Sequence, residues 1–293
     1  MSVPAAFIAV VLIWSTTPLA VKWSGEGPGF IFGAFGRMAF AAVLCLLLIN
    51  AMRLKLPWHR EARNTYLSAT LGIYGAMMCV YWGAQYISSG LIAVLFGLTP
   101  MVTALMARVW LQEQSLTAEK IAGMVFGLLG LVIIFGYGQA SGSMESAGVA
   151  VVLLGVLLHA ISIVWVKRSN TSLSGITVTS GALLLAVPLY FVSWLMIDGA
   201  PPVDLPDRAL FSILYLGVIG SVIGFTLFYY VLKHMEANGV VLITLITPVL
   251  ALLIGNTVNN EQIGMNVLAG ALMVLSGLVL HQWGHILKQK LFG

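Results

Sequence analysis

Thr99-Pro100 is followed fourteen residues on by Glu113-Gln114, and Thr247-Pro248 is followed at the same distance by Glu261-Gln262. Each copy opens on glycine, Gly90 in the first and Gly239 in the second, with one residue more between Gly90 and Thr99 than between Gly239 and Thr247. Two further matches extend the duplication. Ala122-Gly123 and Gly130-Leu131 pair with Ala269-Gly270 and Gly277-Leu278, and, more weakly, Leu71-Gly72 and Gly75 pair with Leu216-Gly217 and Gly220. A chain that contains one unit twice folds as two related halves. A solute path then lies at their shared interface, where the halves rock against each other about a fixed site.

The solvent of this unit follows from composition. With 60% hydrophobic residues, 8% charged residues and a mean hydropathy of +1.00, the chain has more apolar surface than a soluble core of 293 residues can hide, so lipid is its solvent. The net charge of +4 sits in short gaps between apolar runs and forms no basic patch interleaved with aromatics, so nucleic acid is not an expected partner. Cys45 and Cys79 lie in apolar stretches without CxxC spacing and read as packing residues. The first apolar run, about 4 to 22, lacks a basic leader and a small-residue cleavage site, so it reads as a retained span.

Windows long enough for a hydrocarbon layer of roughly 30 Å fall at about 4–22, 29–50, 65–86, 89–110, 119–137, 146–166, 176–197, 208–232, 239–257 and 264–287. None alternates with a two-residue period, so helices are expected, not a barrel. The fold class is therefore all-α integral membrane, with ten transmembrane helices. A cytoplasmic N-terminus places eleven Lys and Arg inside (Arg53, Lys55, Arg60, Arg63, Arg108, Lys120, Lys167, Arg168, Lys233, Lys288 and Lys290) and two, Lys22 and Arg208, outside. That bias predicts both termini in the cytoplasm. Five spans per copy is an odd number, so the second copy enters inverted. The expected units are residues 1–140 and 141–293, forming one compact transmembrane body.

Trp14-Ser15-Thr16-Thr17-Pro18, the Gly36-Arg37-Met38-Ala39-Phe40 stretch and the two Thr-Pro helices ending in Glu-Gln resemble the EamA-type members of the drug/metabolite transporter superfamily. The resemblance covers the whole chain. It implies a bacterial inner-membrane exporter of amino acids or related small metabolites, working by alternating access, with a central cavity lined by helices 1, 3, 4, 6, 8 and 9. Solute import stays open, and the coupling is by exchange, by protons or absent.

Several residues stand out as candidate substrate contacts. Trp14, Ser15 and Thr17 precede Pro18, which removes a backbone hydrogen bond near mid-span and leaves carbonyls for a hydroxyl, water or solute, or merely kinks the helix. Pro100 and Pro248 occupy equivalent midplane positions and read as hinges or gates, or as simple bends. Tyr74, Met78, Tyr81 and Gln85 fall on one face of an ideal helix, an aromatic and amide surface suited to a mixed apolar and polar solute. Phe225 and Tyr229 form a similar stripe in the eighth helix, with Thr244 in the ninth. Arg37 is the one charge inside a span, about 12 Å below its start at 1.5 Å per residue. It is either a carboxylate anchor or a structural clamp on helix-end carbonyls. His159 and Ser162, near mid-span in the sixth helix, offer a substrate or proton site, or a histidine satisfied by its neighbours.

A membrane-embedded enzyme is the rival class. His281 and His285 have the spacing of ligands one helical turn apart, but no acid lies between them and no third ligand is evident. No metal or cofactor is expected, and no Gly-rich phosphate loop supports ATP-driven transport. The expected partners are a small-molecule substrate and the lipid bilayer. Gly29-xxx-Gly33, Gly123-xxx-Gly127 and Gly220-xxx-Gly224 read as close-packing sites, and a homo-oligomer stays open.

Overall fold

The computed structural model describes residues 2–111, 117–137, 143–169, 172–235 and 237–292. The described residues hold helices and no strand. Their helical stretches are α1 (Val3–Ser24), α2 (Phe30–Ala51), α3 (60–83), α4 (89–111), α5 (Ala118–Tyr137), α6 (Ser143–Arg168), α7 (Gly175–Ile197), α8 (Asp207–His234), α9 (Ala237–Asn259) and α10 (Met265–Phe292). Six of them, α1, α2, α4, α6, α7 and α8, are long and apolar enough to cross a membrane, and Ile243–Asn259 and Met265–His281 are shorter apolar helices. Glu113 and Gln114 fall outside the described residues, as does the side chain of His285.

Three helices depart from α geometry. In α3 the segment Leu71–Ala76 is π-helical, and in α8 the segment Leu216–Ile223 is too. Both begin at the Leu-Gly step that the duplication matches. A π turn takes up an extra residue, so everything beyond it is rotated relative to an ideal α-helix. The third departure is in α4, which is built of Ser89–Phe96 and Thr99–Leu111 with a turn at Gly97-Leu98 between them. Pro100 explains it: its nitrogen has no proton to give the Phe96 carbonyl, and its ring collides with that carbonyl. The extra residue of the first copy lies in the stretch that holds this break. By contrast, α9 continues through Pro248.

Three repeat-equivalent pairs, α5 with α10, α4 with α9 and α2 with α7, pack antiparallel on one another. On α5 and α10, a Cβ at Gly123 would stand 2.5 Å from the Gly277 carbonyl oxygen, and one at Gly130 would stand 2.7 Å from that of Gly270. The first glycine of one motif thus meets the second of the other. In α4 and α9, Gly90 faces Leu252 while Gly97 faces Pro248. In α2 and α7, Gly29 lies against Asp198 and Phe35 stacks on Trp194 at 5.6 Å. The α5–α10 crossing needs residues without side chains because the backbones themselves are in contact.

Around this framework, α1, α3, α4, α6, α8 and α9 enclose the middle of the molecule, while Leu47, Leu128, Val192, Leu253 and Leu272 face outward. The apolar exterior and the interior space both position the site described next. Gly123→Leu should lower stability by about 1–3 kcal/mol or more, the usual range for overpacking. Thermal unfolding in detergent would register this, with Gly264→Ala, which meets nothing within 4 Å, as the neutral control.

Candidate functional site

A cavity of about 670 Å³ occupies the middle of the bundle. The six helices expected from the resemblance all contribute: Trp14, Thr17 and Pro18 from α1; Met77 and Val80 from α3; Ile92, Phe96, Thr99, Pro100 and Thr103 from α4; His159 and Ile163 from α6; Phe225 and Phe228 from α8; and Thr244, Thr247 and Pro248 from α9. Arg37 adds α2. Thr117, Glu119, Lys120, Lys167, Met235 and His281 form a polar rim at one end.

Its deepest charge is Arg37, which is 1% exposed. The guanidinium Nε donates to Ser221 Oγ at 2.8 Å, its carbon lies 6.0 Å from the Phe225 ring centre, and Nη1 has no partner among the described residues. Gly220 lies beside it, close enough that a Cβ there would touch Nη2 at 3.4 Å. One turn along α8, Phe228 packs on Trp14 at 4.6 Å, and both face His159, with Phe96 closing the group at 5.8 Å from the imidazole. The rings Phe225 and Phe228 therefore join a buried cation to an aromatic cage around a histidine. Buried polar atoms are nearly always paired, yet Arg37 Nη1, Thr99 Oγ1, Thr103 Oγ1, His159 Nδ1 and both ring nitrogens of His281 have no partner among the described residues, and all belong to cavity residues. These atoms lie just behind the cavity surface, so a solute meets them only when the wall shifts.

Of the residues singled out from sequence, Trp14, Thr17, Arg37, His159, Phe225 and Thr244 border the cavity, with Pro18, Pro100 and Pro248. The others are not brought there. Ser15 donates to the Val11 carbonyl at 2.7 Å and Ser162 to that of Ser68 at 2.7 Å. Tyr74 meets Ser193 Oγ at 2.7 Å, Gln85 Nε2 donates to the Trp82 carbonyl at 3.2 Å near the helix end, and Tyr81 and Tyr229 are buried off the cavity wall. Met78 does not border the cavity; Met77 does. In α3 the cavity is bordered by Met77 and Val80. The π turn puts Tyr74 out of register with the residues that follow, while Met78 and Tyr81 lie beyond it in regular α-helix, on other faces than Met77 and Val80. Thr99, Thr103, Phe96, Phe228, Thr247 and His281 were not singled out as cavity residues. The signal for Thr247 and Thr99 was the duplicated Thr-Pro step itself, and for Phe228 its three-residue spacing from Phe225.

The opposite end is shut. Around Glu261, Lys22, Ser89 and Asn259 draw α1, α4 and the α9–α10 turn together, and none of these residues borders the cavity.

With the geometry in place, comparison with known proteins is decisive at family level. The EamA-like transporter family matches residues 2–136 and 146–281, one repeat in each half. The chain belongs to this family. The EamA assignment agrees with relatives matched along nearly their whole length. An "Uncharacterized transporter YoaV" of Bacillus subtilis (strain 168) is 27% identical over 96% of this chain and 97% of its own. A "Probable terminal-alkyne amino-acid exporter" of Streptantibioticus cattleyicolor is 23% identical over 94% and 91%, respectively. An "Uncharacterized inner membrane transporter YedA" of Escherichia coli (strain K12) is 24% identical over 88% and 83%. A solved crystal structure shares the fold, with a TM-score of 0.70 at 17% identity over 100% of this chain and 99% of that one.

The register in α3 can be checked directly. In a background lacking Cys45 and Cys79, Met77→Cys should react with a small thiol reagent at least tenfold faster than Met78→Cys or Tyr81→Cys. Equal rates would overturn the placement of Met77 on the cavity wall.

Proposed function

We propose that this EamA-family protein is a secondary transporter that exports amino acids or related small metabolites across a bacterial inner membrane by alternating access. The observation that carries the proposal is the cavity, whose volume lies within the roughly 300–1,000 Å³ of small-molecule sites, closed at one end and edged by polar groups at the other. A relative named as a probable amino-acid exporter supports the substrate class. Ten spans arranged as inverted five-helix repeats, 1–140 and 141–293, suit the antiparallel pairing of equivalent helices. The bias of Lys and Arg places both termini in the cytoplasm, so the Lys120 and Lys167 rim faces the cytoplasm and the Glu261 end faces outward.

In this reading Arg37 holds the substrate carboxylate, Trp14, Phe225 and Phe228 cover its apolar part, and Thr17, Thr244 and the unpartnered hydroxyls take its polar groups. His159 sits against the bound solute. Pro18, Pro100 and Pro248 let α1, α4 and α9 bend as the halves exchange. Ser15, Tyr74, Met78, Tyr81, Ser162 and Tyr229 support the wall from behind. Among the described lining residues the one acid is Glu119, at the mouth, so a carboxylate proton relay is not invoked and exchange or facilitated movement drives export.

A strain overexpressing the protein should gain resistance to, and efflux of, one or more amino acids, analogues or toxic metabolites, without chemical turnover. Turnover of the solute would favour a membrane-embedded enzyme instead. Arg37→Gln at normal abundance should weaken export by about 10- to 100-fold, the scale of a charged hydrogen bond of roughly 1.5–3 kcal/mol, with Arg37→Lys between it and the parent. A reporter enzyme fused at Gly293 should be active only in the cytoplasmic form; activity only in the periplasmic form would reverse the topology.

A further inference from the structure

Glu261 closes the end opposite the mouth, and its carboxylate is built into that end. The side chain is 8% exposed. Oε2 accepts from Ser89 N at 3.0 Å, Ser89 Oγ at 2.9 Å and Gly90 N at 3.4 Å, and Oε1 accepts from Ser89 N at 3.2 Å and Asn259 Nδ2 at 3.0 Å. Lys22 Nζ stands 3.8 Å from Oε1 and donates to the Ile87 carbonyl at 3.2 Å, while Trp23 Nε1 donates to Asn259 Oδ1 at 3.0 Å. The backbone is shaped for this. Asn260 has φ of 50°, a left-handed conformation that asparagine tolerates, and so turns the chain back over the end of α9. Gly255 leaves the space, since a Cβ there would lie 2.5 Å from Oε2 and 3.0 Å from Ser89 Oγ.

The anion thus sits on the free N–H groups at the start of α4, where helix geometry favours negative charge, and it is delivered by the other repeat. The geometry points to Glu261 as a latch that holds the non-cytoplasmic end of the pathway closed and must let go of Ser89 and Gly90 when the cavity opens there. Contacts of this kind span two bodies that move relative to each other, so they belong to one state of the cycle. Charge-assisted hydrogen bonds are the strong ones, and several made by one side chain form and break together. Direction in or out rests on the topology proposed above; the existence of the latch does not.

The test reads access from each side of the membrane without reference to any substrate. In the background lacking Cys45 and Cys79, a cysteine replaces Ile92, which borders the cavity one turn below Ser89, or Ala107, which borders it near the mouth. Val203, fully exposed at the latched end, carries the positive control. A membrane-impermeant maleimide added from the latched side should leave Ile92→Cys unlabelled while Glu261 is present. It should label it at least tenfold faster in Glu261→Ala and in Gly255→Ala, where the carboxylate remains but its seat is filled. Labelling of Ala107→Cys from the other side should fall in the same variants. Glu261→Gln, which keeps the shape but offers a donor amide to the Ser89 N–H, should lie between. Unchanged labelling of Ile92→Cys in both Glu261→Ala and Gly255→Ala would overturn the latch. So would a rise at Ile92→Cys and Ala107→Cys together, the mark of a loosened fold. The expected labelling in a protein that exports nothing in the metabolite screen would keep the latch and discard the exporter.

Discussion

A backbone in lipid has no water to satisfy it, and this constraint governs where the chain departs from α-helix. Nothing in the bilayer core can donate to a carbonyl or accept from an amide N–H except the protein itself or the water in a cavity. The departures are not scattered. The break before Pro100 and the π segment that carries Gly220 border the central space, and the π segment Leu71–Ala76 ends just before the lining residue Met77. The same constraint accounts for the glycines. Hydrophobic attraction cannot drive two apolar helices together in apolar solvent, so close backbone contact must, and the Gly123 to Gly277 and Gly130 to Gly270 crossings provide it.

That interior is electrically one-sided. Arg37 stands deep in it with a serine hydroxyl and an aromatic face for company, and Lys120 and Lys167 stand at the rim. A guanidinium with few partners in a low dielectric strongly favours an anion. The aromatic cage of Trp14, Phe96 and Phe228 around His159 adds a flat apolar surface to the interior. Charge and shape in this arrangement come from different helices, so a shift of α8 relative to α2 changes both at once.

Much of this was legible from sequence because duplication and apolar periodicity are long signals. The helical stretches, the paired prolines, Arg37, His159 and the glycine pattern of α5 and α10 could be placed by counting residues. The α3 face could not, because it was chosen by residue type, which does not tell Met78 and Tyr81 from their lining neighbours Met77 and Val80, and because the π segment Leu71–Ala76 upsets the count past Tyr74. Ser15 and Ser162 were read as cavity residues for their hydroxyls, yet each is satisfied by a nearby carbonyl, a competition that only geometry decides. Glu261 was visible as half of a repeated Glu-Gln pair, but its partners Ser89 and Gly90 are 172 and 171 residues away, beyond the reach of any local pattern.

The unequal fate of the two Thr-Pro steps has a consequence for how the molecule is inherited. One ancestral element appears here severed in the first half and whole in the second, although its chemistry is nearly the same in both. Symmetry present in the sequence is therefore broken in the body at this one step, and the two prolines are not interchangeable parts. Each is exposed to selection through a different shape, which lets twin segments drift toward separate duties while the ancestral letters persist.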